Sequence, residues 1–190
     1  MIETPAFLFS GTLRLRPVRL ADLLQLATWR NSPELRERTR EVAPLTLEHQ
    51  ERWFKKISSA DTRDFMFVVE VDEPAPAHTS TTMTRMMIGL VGLCHWSPRD
   101  RTAEVSFYIG SVEHRGKGHA RQALKLLHAW GFESLGLDRI WAEVYAFNEP
   151  SIKLLMSLGY VEEGRLRGHV WRRGQRQDSI MLGMLREEAR

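Results

Sequence analysis

Residues 113–122 read EHRGKGHARQ and lie between a predicted strand and a predicted long helix. Gly116 and Gly118 are two residues apart, so the backbone can turn tightly there and approach a ligand closely. The first turn of the following helix presents unpaired N–H groups and a partial positive charge. Together these features predict a cradle for an anion such as a pyrophosphate. Three basic side chains of the segment can add charge-assisted contacts to phosphate: Arg115, Lys117 and Arg121.

Two better known phosphate-binding patterns do not fit this segment. A P-loop ends in Gly-Lys-Ser/Thr, whereas His119 follows Gly118 here. A dinucleotide-binding fingerprint places its glycines directly after the first strand of a βαβ unit, with an acidic residue about 20 positions later. Neither context is present. The segment therefore predicts a phosphate cradle of another kind, with a plain strand-to-helix turn as the alternative.

Around this segment, hydrophobic periodicity predicts a mixed α/β chain. Apolar and polar residues alternate strictly over 102–109, which indicates a half-buried strand. Apolar residues then recur at helical spacing over about 120–135, where Gly136 is a natural stop. The other predicted strands cover 12–18, 65–71, 87–96, 140–146, 161–170 and 179–184, and the other predicted helices cover 21–29, 46–57 and 150–158. Hairpins followed by a crossover connection are typical of a mixed sheet.

One segment breaks this pattern. Residues 72–85 (DEPAPAHTSTTMTR) combine two prolines with a Ser/Thr cluster, which predicts a mobile loop. Because predicted strands flank it, we interpret it as an extended hairpin connection and not as a domain boundary. A length of 190 residues fits one core. We therefore expect a single domain over residues 1–190.

Composition excludes several classes of protein. An apolar fraction of 43% is ordinary for a folded domain, and no apolar run approaches the roughly 18 residues of a membrane span. Cys94 is the single cysteine, so we expect no internal disulfide and no metal site, and the chain suits a reducing cytoplasm. The net charge of +3 indicates an arginine-rich surface or a phosphorylated ligand. Nucleic acid is not an expected partner, because no basic run is interleaved with stacking aromatics.

The glycine segment also carries a family resemblance. Arg115 to Ala120 (RGKGHA) resembles the acetyl-CoA signature of the GNAT superfamily of N-acetyltransferases, Arg/Gln-x-x-Gly-x-Gly/Ala. AEVSFYIG at 103–110 is similar to the fourth strand of that family, and 148–151 (NEPS) with 158–160 (LGY) is similar to its "Asn-x-x-Ser/Ala … Leu-Gly-Phe" segment. The resemblance implies an α/β GNAT fold: a mixed central sheet of about seven strands, a V-shaped splay between the fourth and fifth strands, and about four flanking helices.

The resemblance implies that acetyl-CoA is the acyl donor and lies in the V. The strand backbone would pair with the pantetheine arm, the N–H groups of the loop would hold the pyrophosphate, and an asparagine would contact the donor from the other wall. An N–H group of the fourth strand would stabilise the oxyanion. The residues implied in donor binding are Phe107, Tyr108, Ile109, Arg115, Gly116, Lys117, Gly118, His119, Ala120, Arg121 and Asn148.

The catalytic groups implied by the resemblance are two glutamates and a serine. The acceptor amine must lose a proton before it attacks, and a carboxylate can take that proton. Glu104 matches the base position of the histone-modifying branch and Glu143 that of a ribosomal-protein branch; we favour Glu104, and a solvated strand glutamate is the alternative for each. The tyrosine that many members use as the general acid is replaced by Leu155. Ser151 matches the acid of another ribosomal-protein branch, with a helix-capping role as the alternative.

The acceptor is left open between two branches. The triplet at 29–31 (WRN) and a basic cleft favour enzymes that acetylate amino groups of nucleotide-linked sugars, whereas Ser151 with Leu155 favours the Rim-type branch, which acetylates protein N-terminal α-amines. We assign Trp29 and Asn31 to acceptor binding, with core packing as the alternative for the tryptophan. We expect a Rim-type enzyme, either a monomer or a homodimer. An amino-sugar acceptor is the alternative, and a non-catalytic acetyl-CoA-binding module is a third reading.

Overall fold

A computed structural model of the protein describes residues 7–41, 43–75 and 83–189. The strands of these residues form one sheet and are β1 (Leu8–Ser10), β2 (Leu13–Pro17), β3 (Phe65–Pro74), β4 (Met83–Ser97), β5 (Thr102–Ile109), β6 (Arg139–Tyr145), β7 (Val161–Arg172) and β8 (Gln175–Leu185). Their order across the sheet is β1-β2-β3-β4-β5-β6-β8-β7. The pairing of β5 with β6 is parallel and the other pairings are antiparallel.

Helices cover both faces of this sheet. Within the described residues the α-helices are α1 (Leu23–Asn31), α2 (Pro33–Arg36), α3 (Leu47–Ile57), α4 (His119–Glu133) and α5 (Glu149–Met156). Thr46 caps α3, because its hydroxyl accepts a hydrogen bond from the N–H of His49. None of these helices combines the length and the apolar character needed to cross a membrane.

The sheet separates two apolar cores. On one face, Leu124 of α4 and Leu155 of α5 are fully buried against the strands. On the other face, Leu26 of α1 packs with Leu90 and Tyr108. Alternation along the strands sends neighbouring side chains to opposite cores, so each face is covered by its own helices. A ligand that lies between β5 and β6 is therefore in contact with both halves of the molecule.

The expected splay is present, between the strands here labelled β5 and β6. These two strands pair only through residues 102–104 and 139–141. Beyond that point β5 continues to Ile109 and β6 to Tyr145 without further pairing. The backbone edge of β5 that faces the gap has no strand partner there. The mixed α/β sheet and the splay expected from the sequence are both present.

Three details differ from the sequence expectation. An additional short strand, β1, pairs with β2 and brings the sheet to eight strands, and α2 is an additional helical turn that begins at Pro33. The expected loop over 72–85 is shorter at both ends, because β3 and β4 continue their pairing to Pro74 and Met83. An ion pair between Arg14 and Asp72, 2.8 Å apart, supports this extension. Residues 76–82, the rest of the expected mobile loop, lie outside the described residues.

A buried polar pair lies between α4 and the segment that enters β7. His128 is 5% exposed and Tyr160 is 3% exposed, and the Tyr160 hydroxyl lies 3.0 Å from Nε2 of His128. Burial lowers the pKa of His128 to about 4 and raises the pKa of Tyr160 well above its usual value. Both side chains are therefore uncharged in the folded protein at neutral pH.

This pair predicts a specific loss of stability in acid. Below pH 6.5 the unfolded chain binds a proton at His128 that the folded chain takes up only near pH 4, so the free energy of unfolding falls as pH drops through that interval. At pH 5 the contribution is on the order of 2 kcal/mol. Urea denaturation at pH 7 and pH 5 measures it. His128→Gln should lose clearly less stability than the wild type over the same change; equal losses would contradict the prediction.

Candidate active site

A cavity of about 260 Å³ fills the gap between β5 and β6. Its walls are formed by residues 104–108 of β5, by residues 142–145 of β6, and by Asn148 and Ser151 at the start of α5. The segment 38–41 between α2 and α3 closes it from the side of the first helices. The cavity therefore lies where the sheet opens, with strand backbone on two sides and a helix N-terminus at one end.

Two carboxylates face each other at the closed end of the V. Glu104 is the last residue of β5 that pairs with β6, and Glu143 lies two residues beyond its partner Trp141. The Arg40 guanidinium bridges them. It contacts both carboxylate oxygens of Glu104, with Nη1 3.1 Å from Oε2, and its Nη2 lies 3.2 Å from Oε2 of Glu143. The two glutamate side chains are largely buried, whereas the Arg40 side chain is 51% exposed.

Each carboxylate also has an imidazole partner. Nδ1 of His95 lies 2.8 Å from Oε2 of Glu104, and Nδ1 of His169 lies 3.1 Å from Oε1 of Glu143. Ser179 adds a hydrogen bond of 2.8 Å to the same oxygen of Glu143. The side chains of His95 and His169 are 59% and 41% exposed. Each glutamate therefore has a partly exposed histidine beside it, and this histidine can relay a proton between the carboxylate and solvent.

His95 reaches Glu104 because of an irregularity in β4. The pairing of β4 with β5 shifts register between Cys94 and Ser97, and His95 has a φ of 52°, in the left-handed region. The carboxylate of Asp64 holds this conformation by accepting a hydrogen bond of 3.0 Å from the His95 N–H. A β-bulge re-aims a side chain in this way at many functional sites.

The tip of the β7–β8 hairpin holds Arg40 in place. Nη2 of Arg172 donates a hydrogen bond of 3.1 Å to the carbonyl of Thr39, and its guanidinium lies 5.3 Å from the ring centre of Tyr145. Arg173 pairs with Glu37 at 2.7 Å. The segment that carries Arg40 is thus tied to the far edge of the sheet, which positions the guanidinium between the two glutamates.

The glycine loop has the conformation expected of a phosphate cradle. Gly116 and Gly118 have φ values of 72° and 84°, which residues other than glycine rarely adopt. Gly118 is also the N-cap of α4. A Cβ built at either position meets no atom within 4 Å, so the chain leaves open space beside this loop. The residues present therefore fit a pyrophosphate.

The basic side chains of this loop have mainly structural contacts. Nε of Arg115 donates to the carbonyl of Ile109 at 3.0 Å and its Nη1 pairs with Glu34, so its charge is neutralised. Arg121 donates to the hydroxyl and the carbonyl of Ser157 at the end of α5. Lys117 is exposed. If this loop binds phosphate as the sequence predicts, we expect its backbone N–H groups to contribute more than its arginine side chains.

Two polar side chains at the start of α5 face the cavity. Asn148 is the N-cap residue but makes no capping hydrogen bond with its side chain. The N-cap of α5 is Asn148, whereas Ser151 lies three positions further on and lines the cavity. Leu155 is fully buried in the core and carries no proton to donate. Burial raises the pKa of the Cys94 thiol to about 12, so it stays protonated and is no acyl-accepting nucleophile at neutral pH.

The residues assigned to acceptor binding lie outside the lining of this cavity. Trp29 packs under Gly110 and makes an edge-to-face contact with Tyr108. Both amide atoms of Asn31 bind the backbone of Leu45, each at 2.8 Å. Trp29 thus packs in the interior and Asn31 holds a backbone segment in place. An acceptor contact by either residue stays a prediction.

A model of the GNAT acetyltransferase domain matches residues 12–161. The chain belongs to the GNAT acetyltransferase family. It is 30% identical to the uncharacterized N-acetyltransferase p20 of Bacillus licheniformis over 185 residues, which cover 95% of this chain and 97% of that protein. YdaF of Bacillus subtilis, provisionally named a ribosomal N-acetyltransferase, is 28% identical over about half of each chain (54% and 55%).

A solved structure of the same architecture contains the coenzyme. Spermidine N-acetyltransferase from Vibrio cholerae, in complex with CoA and spermine, superposes with a TM-score of 0.82 at 27% identity, covering 94% of this chain and 98% of that one. That enzyme has also been solved as a dodecamer. With the family and the open V established, the protein is an acetyl-CoA-dependent N-acetyltransferase. Among the described residues, no three metal-binding side chains come together.

Sequence reasoning missed the basic groups around the carboxylates. Arg40 is separated from Glu104 by 64 positions and from Glu143 by 103. No local pattern links residues so far apart, and an arginine in a polar connection looks like a solvated surface residue. The strand of His95 carries a weak sequence signal, because it contains Gly89 and Gly92, and glycines inside a strand are typical of irregular pairing.

The open space at Gly118 predicts the effect of filling it. Gly118→Trp should weaken acetyl-CoA binding at least roughly tenfold, about 1.4 kcal/mol, because the indole occupies the space in front of the N-terminus of α4. Isothermal titration calorimetry with acetyl-CoA measures the change. Gly136→Trp is the matched control: Gly136 also has a positive φ, 67°, and open space, but it lies at the other end of α4. Equal losses of affinity in both variants would contradict the prediction, since strain alone would then explain them.

Proposed function

We propose that this acetyltransferase acts on the α-amine at the N-terminus of a peptide or protein. The observation that carries the proposal is the charge balance at the closed end of the V. Glu104 and Glu143 contribute two negative charges and Arg40 contributes one positive charge, leaving aside the two imidazoles. One more cation, the ammonium of a single amine, neutralises the group.

The remaining carboxylates of the cavity argue against a polyamine as acceptor. Glu41 is paired with Arg30, and Asp64 is paired with Lys56 at 2.6 Å. Arg38 adds a further positive charge to the lining. A polycation such as spermine needs several free carboxylates. Beyond the one uncompensated charge shared by Glu104 and Glu143, the other acidic side chains that line this cavity already have a cationic partner. The provisional name of YdaF, a ribosomal N-acetyltransferase, adds support for a protein N-terminus.

The chemistry proceeds through residues of the V. Acetyl-CoA supplies an acetyl thioester, whose carbonyl carbon is attacked by the amine and whose sulfur leaves. Glu104 takes the proton from the ammonium, directly or through water, and His95 passes it to solvent. A backbone N–H of β5 donates to the carbonyl oxygen as it gains negative charge. Once bonded to the carbonyl carbon, the nitrogen loses a further proton, which the Ser151 hydroxyl relays to the sulfur as the C–S bond breaks, so that a thiol leaves and the serine regains its own proton.

Glu104 is the base because of its surroundings. Its side chain is 7% exposed, compared with 13% for Glu143, and its imidazole partner is the more exposed of the two. Glu143 instead holds Ser179 and shares Arg40, which stabilises the arrangement of the site. A buried carboxylate with an exposed proton relay is better suited to repeated proton transfer.

An amino group on a nucleotide-linked sugar is the second candidate acceptor. Arg30, Arg38 and Arg40 all line the cavity, and a diphosphate needs such counter-charge. Both acceptors offer an amine to the acetyl group. They differ because the nucleotide-linked sugar also carries a diphosphate, which the peptide lacks.

An acceptor panel tests the proposal. The enzyme is incubated with acetyl-CoA, free thiol is measured, and products are located by mass spectrometry. The panel contains a short peptide with a free α-amine, the same peptide with a formylated N-terminus and an internal lysine, spermidine, and a nucleotide-linked amino sugar. We expect acetylation of the free peptide alone. Preference for spermidine or for the amino sugar would refute the proposal.

The two glutamates are predicted to differ in their effect on catalysis. Glu104→Gln should lower kcat for a peptide acceptor by roughly a hundredfold to a thousandfold, because the general base is lost, while Glu143→Gln should lower it by less than about tenfold. Glu163→Gln, at the partly exposed ion pair with Arg139, is the control and should leave kcat unchanged. Steady-state kinetics at saturating acetyl-CoA gives the values. A larger loss in Glu143→Gln would reverse the assignment of the base.

A further inference from the structure

A second, smaller cavity adjoins the active site. It measures about 80 Å³ and lies between α1, α3 and the adjoining strands β4 and β5, with Leu26, Leu45, Gln50 and Leu90 among its walls. Arg30, Glu41, Trp53 and Tyr108 line both this space and the larger cavity. These shared side chains lie at the boundary of the two spaces, so the smaller cavity directly neighbours the larger one.

Two hydrogen-bond donors in its walls have no acceptor. The Tyr108 hydroxyl and Nε of Arg30 are buried and make no hydrogen bond to any described residue. Buried donors of folded proteins are almost always paired, because leaving one unpaired forfeits its hydration without compensation. A phenylalanine would fill the same place as Tyr108 without this cost. The two donors therefore point to an oxygen that comes from outside the chain.

The charges around the cavity restrict what this oxygen belongs to. Arg30 already pairs with Glu41 and lies 5.9 Å from the ring centre of Tyr108, so its positive charge is compensated. Burial raises the pKa of Tyr108 far above its usual value, so the phenol remains a donor. Nδ1 of His49 accepts a hydrogen bond of 3.1 Å from the backbone N–H of Thr46. A neutral oxygen acceptor such as a side-chain hydroxyl suits this set of groups better than a second carboxylate.

The position of Tyr108 relates this oxygen to the reacting amine. Tyr108 and Glu104 are four positions apart on β5, so their side chains lie on the same face of the sheet, with Cα atoms about 13 Å apart at the usual strand rise. An amine that reaches Glu104 through one water leaves roughly one extended residue between itself and the smaller cavity. The oxygen would accordingly belong to the first or second residue of a peptide acceptor.

We propose that the smaller cavity is an acceptor subsite that binds a neutral oxygen of the substrate through the Tyr108 hydroxyl and Nε of Arg30. This inference rests on the proposed function, because it takes the acceptor to be a peptide whose amine lies at Glu104. It adds a specificity: among acceptors that differ by one oxygen, the one with the hydroxyl is preferred.

Matched peptides test the subsite. Serine is compared with alanine, and threonine with valine, at the first and at the second position of one short peptide. For the wild type we expect kcat/KM to be at least tenfold higher for the hydroxyl-bearing member of a pair at one of these positions. Tyr108→Phe and Arg30→Lys should each reduce that ratio severalfold. Tyr160→Phe, which removes a buried phenol on the opposite face of the sheet, should leave the ratio at the wild-type value.

A binding measurement separates failure of the subsite from failure of the proposed function. Calorimetry compares serinamide with alaninamide on the complex of the enzyme with CoA, which requires no turnover. Stronger binding of serinamide that disappears in Tyr108→Phe supports the subsite even if no peptide is acetylated, an outcome that would refute the peptide acceptor alone. Equal binding of the two amides, together with equal kcat/KM within the peptide pairs, would overturn the subsite and leave the cavity as a space for water.

Discussion

The structure depends on the early separation of β5 from β6. Two parallel strands in the middle of a sheet would ordinarily pair along their whole length, because an unpaired backbone group in a buried place is costly. Here pairing stops at Glu104, and the exposed backbone edge of β5 becomes a site that an external chain of hydrogen-bonding groups can complete. The coenzyme of this family fits that requirement, since its pantetheine arm carries amides. The gap in the sheet is thus a cost of the fold and, in our proposal, the place where the donor binds.

The same separation explains why the acidic groups are where they are. Glu104 and Glu143 project from the two strands at the point where the strands part, which brings two carboxylates together in a largely buried place. Two adjacent negative charges repel each other unless a cation lies between them. Arg40 provides this cation, and its backbone segment is held by Arg172 from the opposite end of the chain. The site is therefore assembled from the first connection, the central strands and the last hairpin.

Donor and acceptor approach the V from different elements. We expect the glycine loop and the N-terminus of α4 to bind the donor. The cavities proposed for the acceptor are bordered by α1, α3 and the segment that carries Arg40. Tyr108 links the two, because its backbone belongs to the edge expected to bind the donor and its side chain lines both cavities. This division explains how one family can keep its donor while its members differ in their acceptors.

The sequence by itself located most of the helices and strands, though not β1 or α2, and it located the glycine loop. The spacing of Gly116 and Gly118 predicts a tight turn, and the alternation at 102–109 predicts β5. Both are local patterns, and local backbone geometry is encoded by neighbouring residues. The groups around Glu104 were decided only by the tertiary structure. These groups are Arg40, His95 and the β7–β8 hairpin, which come from distant parts of the chain. Hydrophobic periodicity predicts local structure and does not predict that such distant segments come into contact. Long-range charge pairing depends on how the sheet is ordered and where it opens, which is a property of the whole fold.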